Sequence, residues 1–79
     1  MTTLELAGRI RGGIALVFIR NGLWRVTRPD GHVLGYVEAF DTAGGQRYQA
    51  KRLLARQRRF MSDGEFWNMS DAIDCLRLN

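Results

Sequence analysis

Apolar and polar side chains alternate along most of this chain with the period of two that a half-buried β-strand imposes. Ile14 to Ile19 is a continuous branched and aromatic run. Leu23 to Arg28 alternates, with Trp24 and Val26 toward one side and Arg25 and Thr27 toward the other. Val33 to Phe40 gives a further strand, and Gln46 to Leu54 another. In that last segment Tyr48, Ala50 and Arg52 share one face, while Arg47, Gln49 and Lys51 share the other, which is wholly polar. Phe60, Met61, Phe66 and Trp67 predict a short final strand interrupted near Asp63-Gly64.

The punctuation between these runs has a mechanism. Asn21-Gly22 suits a two-residue type I′ hairpin turn, which needs positive φ at both positions. In Pro29-Asp30-Gly31 proline presets φ, aspartate tolerates the next position and glycine accepts a left-handed exit. Asp41 to Gly45 ends the third run. Gly35, inside a strand, predicts a bulge or the close approach of a bulky neighbour such as Trp24.

The period changes at the end of the chain. Asn68 has the character of an N-cap, with Asp71 three residues on. Met69, Ala72, Ile73 and Leu76 then fall at i, i+3, i+4 and i+7, the apolar stripe of a helix lying on a sheet. Asp71 and Asp74 early and Arg77 late agree with the helix dipole. The elements predict an α+β fold: an antiparallel β-meander of four to five strands packed against one C-terminal helix. Residues 14–79 form this single domain, and residues 1–13, with Gly8, Gly12 and Gly13, read as a partly flexible N-terminal arm.

Length narrows the picture. Seventy-nine residues lie near the lower limit for a core without disulfides or metals. The aromatic residues Trp24, Tyr36, Phe40, Tyr48 and Trp67 are therefore expected to fill that core rather than serve as base-stacking platforms. Cys75 is the only cysteine, so no intramolecular disulfide framework exists and a reducing, cytoplasmic compartment is expected. Cys75 and His32 are too few to hold a metal, and no glycine-rich phosphate loop is present, so no cofactor is expected. His32 cannot be tied to a nucleophile, and the acids of the C-terminal quarter have turn, cap and dipole roles. The expectation is a protein that is not an enzyme. The run Ile14 to Ile19 is too short to cross a membrane.

Charge changes the picture most. The chain carries twelve Lys and Arg against eight Asp and Glu, but residues 1–59 have a net of +7 and the last twenty a net of −3. Arg47, Lys51, Arg52, Arg56, Arg58 and Arg59, half of all the cations, lie within thirteen residues that contain no acid. Such density suits a polyanion. On an uncovered sheet face, Arg25, Thr27, Arg47, Gln49 and Lys51 are side chains able to meet phosphates and base edges. Arg52, Arg56, Arg58 and Arg59 would flank them as phosphate contacts from a basic connection. Behind that reading stand, in order, a solvated polar surface that prevents edge association and a dock for an acidic protein.

The arrangement Trp24-x-Val26, Pro29-Asp30-Gly31, Gly35-x-Val37, Tyr48-x-Ala50-Lys51, Gly64-x-Phe66 and Asn68-x-x-Asp71-Ala72 resembles the AP2-like or arm-type DNA-binding domains of phage and mobile-element integrases. Those are three-stranded sheets on one helix that read DNA through the open face, and the resemblance covers residues 23–77. It implies contacts at Arg25, Thr27, Arg47, Gln49 and Lys51. The Ile14 to Ile19 strand and the long basic segment before Phe60 are additions to that pattern. The segment Gly22 to Gly31, with Arg56-Gln-Arg-Arg-Phe60 and Glu65-Phe-Trp67, also resembles a group of small uncharacterised actinobacterial proteins. The expected function is that of an accessory protein binding nucleic acid, DNA over RNA, as a monomer or weak dimer. The alternative is an interaction module for an acidic protein partner.

Overall fold

The computed structural model describes residues 7–10 and 13–78, the first four by backbone alone. Six strands form one antiparallel sheet, β1 (Ala7–Ile10), β2 (Ile14–Arg20), β3 (Leu23–Thr27), β4 (Val33–Thr42), β5 (Gly45–Leu54) and β6 (Arg59–Phe66), followed by the helix α1 (Met69–Leu78). Strand order in the sheet is the order in sequence, a pure meander, as the alternating pattern predicts. The strand count exceeds the expected four to five because Ala7–Ile10 pairs with β2, from Ala7 opposite Val17 to Ile10 opposite Ile14. Part of the segment read as a flexible arm is thus an edge strand; residues 1–6, 11 and 12 lie outside the described residues.

Cross-strand registers sort the side chains onto two faces. Phe18, Trp24, Val37, Ala50 and Gly64 form one row across β2 to β6. Val17, Arg25, Tyr36, Lys51 and Ser62 form the neighbouring row, directed to the opposite face. α1 lies on the first face, across β4, β5 and β6. The core beneath it consists of Ile14, Val26, Leu34, Val37, Ala50, Ala72, Ile73 and Leu76. The aromatic residues are not in it: Tyr48 and Phe66 pack against its margin, and Trp67 is 58% exposed.

Tyr36, Phe40 and Trp67 stand on the other face, beside Lys51 and Arg47, and three small residues thin the space beneath the helix. Ala50 and Ala72 are fully buried, and a β-carbon added at Gly35 would sit 2.7 Å from a Leu76 methyl and 2.6 Å from the Lys51 carbonyl oxygen. Helix and sheet approach so closely here that only aliphatic side chains fit between them. The neighbour that excludes a side chain at residue 35 is therefore Leu76, not Trp24, and the register shift between Val26 and Thr27 leaves Leu34, next to Gly35 in β4, as the extra residue of a bulge.

The turns follow local chemistry with one correction. In the Pro29 turn Gly31 N–H donates to Arg28 O at 2.9 Å, Gly31 has φ +92°, and Asp30 Oδ1 accepts from His32 N–H at 2.9 Å. At Asn21-Gly22 only the glycine has positive φ, +80°, so the turn is not type I′; β2 absorbs the difference as a register shift between Phe18 and Arg20. The helix begins as its cap predicts, with Asn68 Oδ1 accepting from Asp71 N–H at 3.0 Å. Asn68→Ala removes that acceptor and is expected to cost about 1 kcal/mol, read as a lowered urea midpoint with unchanged slope.

Candidate nucleic-acid interface

Arg25, Arg47, Gln49 and Lys51 all project from the face opposite α1, where alternation places them. The registers bring them beside residues that alternation alone does not identify. Tyr36 lies opposite Lys51, Glu38 opposite Gln49 and Phe40 opposite Arg47. Lys51 Nζ is 2.5 Å from Glu38 Oε1 and 5.0 Å from the Phe60 ring centre, and Phe60 meets Tyr36 edge to face. Arg20 adds a second, longer ion pair to Glu38 at 3.6 Å. The Arg47 guanidinium lies 4.2 Å over Trp67, and Gln49 Nε2 donates to Ser62 Oγ at 3.1 Å. Arg25 is half-buried, its Nε covered and without a hydrogen-bond partner among the described residues. Thr27 is 9% exposed, and its hydroxyl is turned back to Ala15 O.

This face is mixed rather than uniformly basic. Lys51 is held by Glu38 and Phe60 and Arg47 by Trp67, and Glu65 adds a further acid beside Gln49. The hydrogen bond from Lys51, ahead of the charges of Lys51 and Arg20, holds the Glu38 carboxyl below its ordinary titration range despite some desolvation. A carboxyl depressed in the folded state stabilises the fold above its unfolded pKa of about 4.3 and loses that contribution as pH falls through its folded value. Glu38→Gln is accordingly expected to lower stability at pH 7 and to flatten the loss of stability below about pH 4.3, measured by urea unfolding across pH.

Arg52 belongs to the α1 side and is ion-paired through Nε to Asp63, the residue displaced by the bulge between β5 and β6. Beyond this point the sheet forks. The final β4–β5 pair is Tyr36 with Lys51, whereas β5 and β6 continue through Arg52 with Met61, Leu53 with Phe60 and Leu54 with Arg59. A cleft of about 390 Å³, lined by Val33, Leu34, Gly35, Tyr36, Arg52 and Leu53, separates the diverging strands. The segment expected as a basic connection is thus the tip of a two-stranded ribbon, closed by a 3₁₀ turn over Ala55–Gln57 and by Arg58.

The ribbon tip carries exposed cations that no acid holds among the described residues. Arg56, Arg58 and Arg59 are all exposed around its tip. Arg59 Nε donates to Gln57 Oε1 at 3.1 Å, and no acid lies between Asp41 and Asp63 in sequence. Leu53, Phe60 and Met61 are exposed along its flanks. Sequence charge marks this segment, but its projection depends on where β4 stops pairing, for which the residues themselves carry no local signal.

The remaining chemistry is sparse. His32 is exposed in its turn, and Cys75 is half-buried with Sγ 3.9 Å from Asp63 O. Among the described residues no group of three or more potential metal ligands occurs, and no helix is long and apolar enough to cross a membrane. Comparisons with family models, with curated proteins and with solved structures find no match to this chain.

Proposed function

We propose that this protein binds double-stranded DNA, as a small cytoplasmic accessory factor, by inserting the β5–β6 ribbon into a groove. One observation carries this reading: beyond the Tyr36–Lys51 pair the β5–β6 ribbon parts from β4 and continues as a two-stranded pair, and Arg56, Arg58 and Arg59 are exposed around its tip with no acid in the segment. The B-form major groove, about 12 Å wide, admits a two-stranded ribbon. A six-stranded sheet face could not enter it, so Arg25, Arg47, Gln49 and Lys51 act at the groove's rim and Arg52 supports the ribbon's base. Thr27, covered by its neighbours, stands outside this contact set.

Anisotropy titrations of a labelled duplex at several salt concentrations test the proposal. Three to five neutralised phosphates give a log–log salt slope of about −2.7 to −4.5. Absence of binding to any duplex at low salt overturns it. The competing reading, an acidic protein partner, draws on the exposed Leu53, Phe60 and Met61 beside the same arginines. It predicts a complex that survives nuclease treatment and a flat response to duplex DNA.

A further inference from the structure

Six positions among the described residues have positive φ, and five of them are glycine: Gly13, Gly22, Gly31, Gly45 and Gly64. The sixth is Arg58, with φ 52° and ψ 41°, in the left-handed region. That region crowds a β-carbon against the following carbonyl, which is why glycine ordinarily occupies it. The turn requires the conformation, because Arg58 N–H closes it on Ala55 O at 3.3 Å. Glycine would satisfy the backbone better, and this chain places glycine at every other such described position. Keeping a long charged side chain at the ribbon's apex, against the preference of its own backbone, is the pattern expected where the side chain has work to do.

The surroundings indicate what that work is. Arg58 is exposed, with no ion pair or side-chain hydrogen bond among the described residues. Arg59 is held along the ribbon by Gln57, and Arg56 lies on the 3₁₀ turn one residue before Gln57. If the ribbon enters a groove, its apex goes deepest and its shoulders face the two phosphate walls. A planar guanidinium at the groove floor matches the paired O6 and N7 acceptors of guanine, a fit that a lysine ammonium does not reproduce.

We propose that Arg58 reads a guanine edge in the major groove while Arg56 and Arg59 hold the flanking phosphates. This rests on the ribbon reading of the function and adds to it a sequence preference and the residue that sets it.

The full chain is titrated against two labelled duplexes of equal length, one of alternating G·C and one of alternating A·T pairs, and against a G·C duplex whose guanines lack N7. The wild type is expected to favour the G·C duplex by about 5- to 100-fold, the discrimination of one good bidentate pair, and to lose that preference without N7. Arg58→Lys keeps the charge and abolishes the preference. Arg58→Gly also abolishes it while raising Tm by about 4–8 °C, since glycine relieves the backbone. Arg56→Ala weakens both duplexes equally and reduces the salt slope by about 0.9. A preference that survives Arg58→Lys, equal binding of the two duplexes by the wild type, or a lowered Tm in Arg58→Gly overturns the assignment of Arg58 and leaves the ribbon reading standing. Failure of the wild type to bind either duplex at low salt overturns both.

Discussion

Gly35→Ala is expected to lower Tm by about 10–20 °C, and Gly35→Val to leave the chain unfolded at room temperature. The added β-carbon meets two neighbours at once, a Leu76 methyl at 2.7 Å and the Lys51 carbonyl oxygen at 2.6 Å. Overpacking of this kind typically costs about 1–3 kcal/mol where side chains can yield, and here one neighbour is backbone. A domain of this size has a total stability of only about 4–12 kcal/mol. Two or three kcal/mol converts to the stated shift at about 4–8 °C per kcal/mol. Thermal unfolding by circular dichroism measures it, and a double-mutant cycle with Leu76→Ala apportions it. Leu76→Ala alone opens a cavity, whereas in the Gly35→Ala background it also relieves the methyl clash, so the two losses should sum to more than the double variant shows. A Gly35→Ala protein that melts like the wild type would mean that helix and sheet do not approach as described.

The second large effect concerns binding. Replacing Arg56, Arg58 and Arg59 together with alanine is expected to reduce the log–log salt slope for duplex binding by about 1.8, the share of the two phosphate contacts at Arg56 and Arg59, and the affinity at low salt by two to three orders of magnitude, since the Arg58 base contact is lost with them. Thermal stability should change little, because all three side chains are exposed and free of acidic partners. Lys51→Met offers the converse. It breaks the 2.5 Å pair with Glu38 and leaves that half-buried carboxylate only its longer pair with Arg20, so it should lower stability more than it lowers affinity. The contrast between the two variants separates a ribbon-tip site from a sheet-face site by measurement. Equal losses of affinity from both would return the interface to the face of β5.

What could be read from the sequence was what neighbouring residues decide. The Asn68 cap, the stripe of Ala72, Ile73 and Leu76, the Pro29 turn and the alternation in β3 and β5 each depend on residues within a few positions of one another, and the structure has them where those patterns place them. Assignments that depend on a distant partner did not follow in the same way. Gly35 signalled that something bulky approaches, but not that it is Leu76 on the last helix. Trp24, Phe40 and Trp67 looked like core material by size alone; Phe40 and Trp67 stand instead on the face opposite α1, against Arg47, and α1 packs on β4 to β6 rather than over Trp24 on β3. Glu38 became a partner of Lys51 only once the Ala43-Gly44 turn had set the β4–β5 register. The charge cluster was plain, yet its division into a held group on the face and an exposed group on a projecting tip needed the fork between β4 and β5.

Because the strands neighbour one another in the order of the chain, every pairing in the sheet is a hairpin, and each can close over a short loop. Such a chain can zip from turn to turn without an entropically costly search for distant partners. The packing of α1 onto β4, with Leu76 against Gly35, must by contrast draw together segments some forty residues apart. Docking of the helix is thus the natural last event in folding, and damage at Gly35 should accelerate unfolding while leaving the rate of folding nearly unchanged.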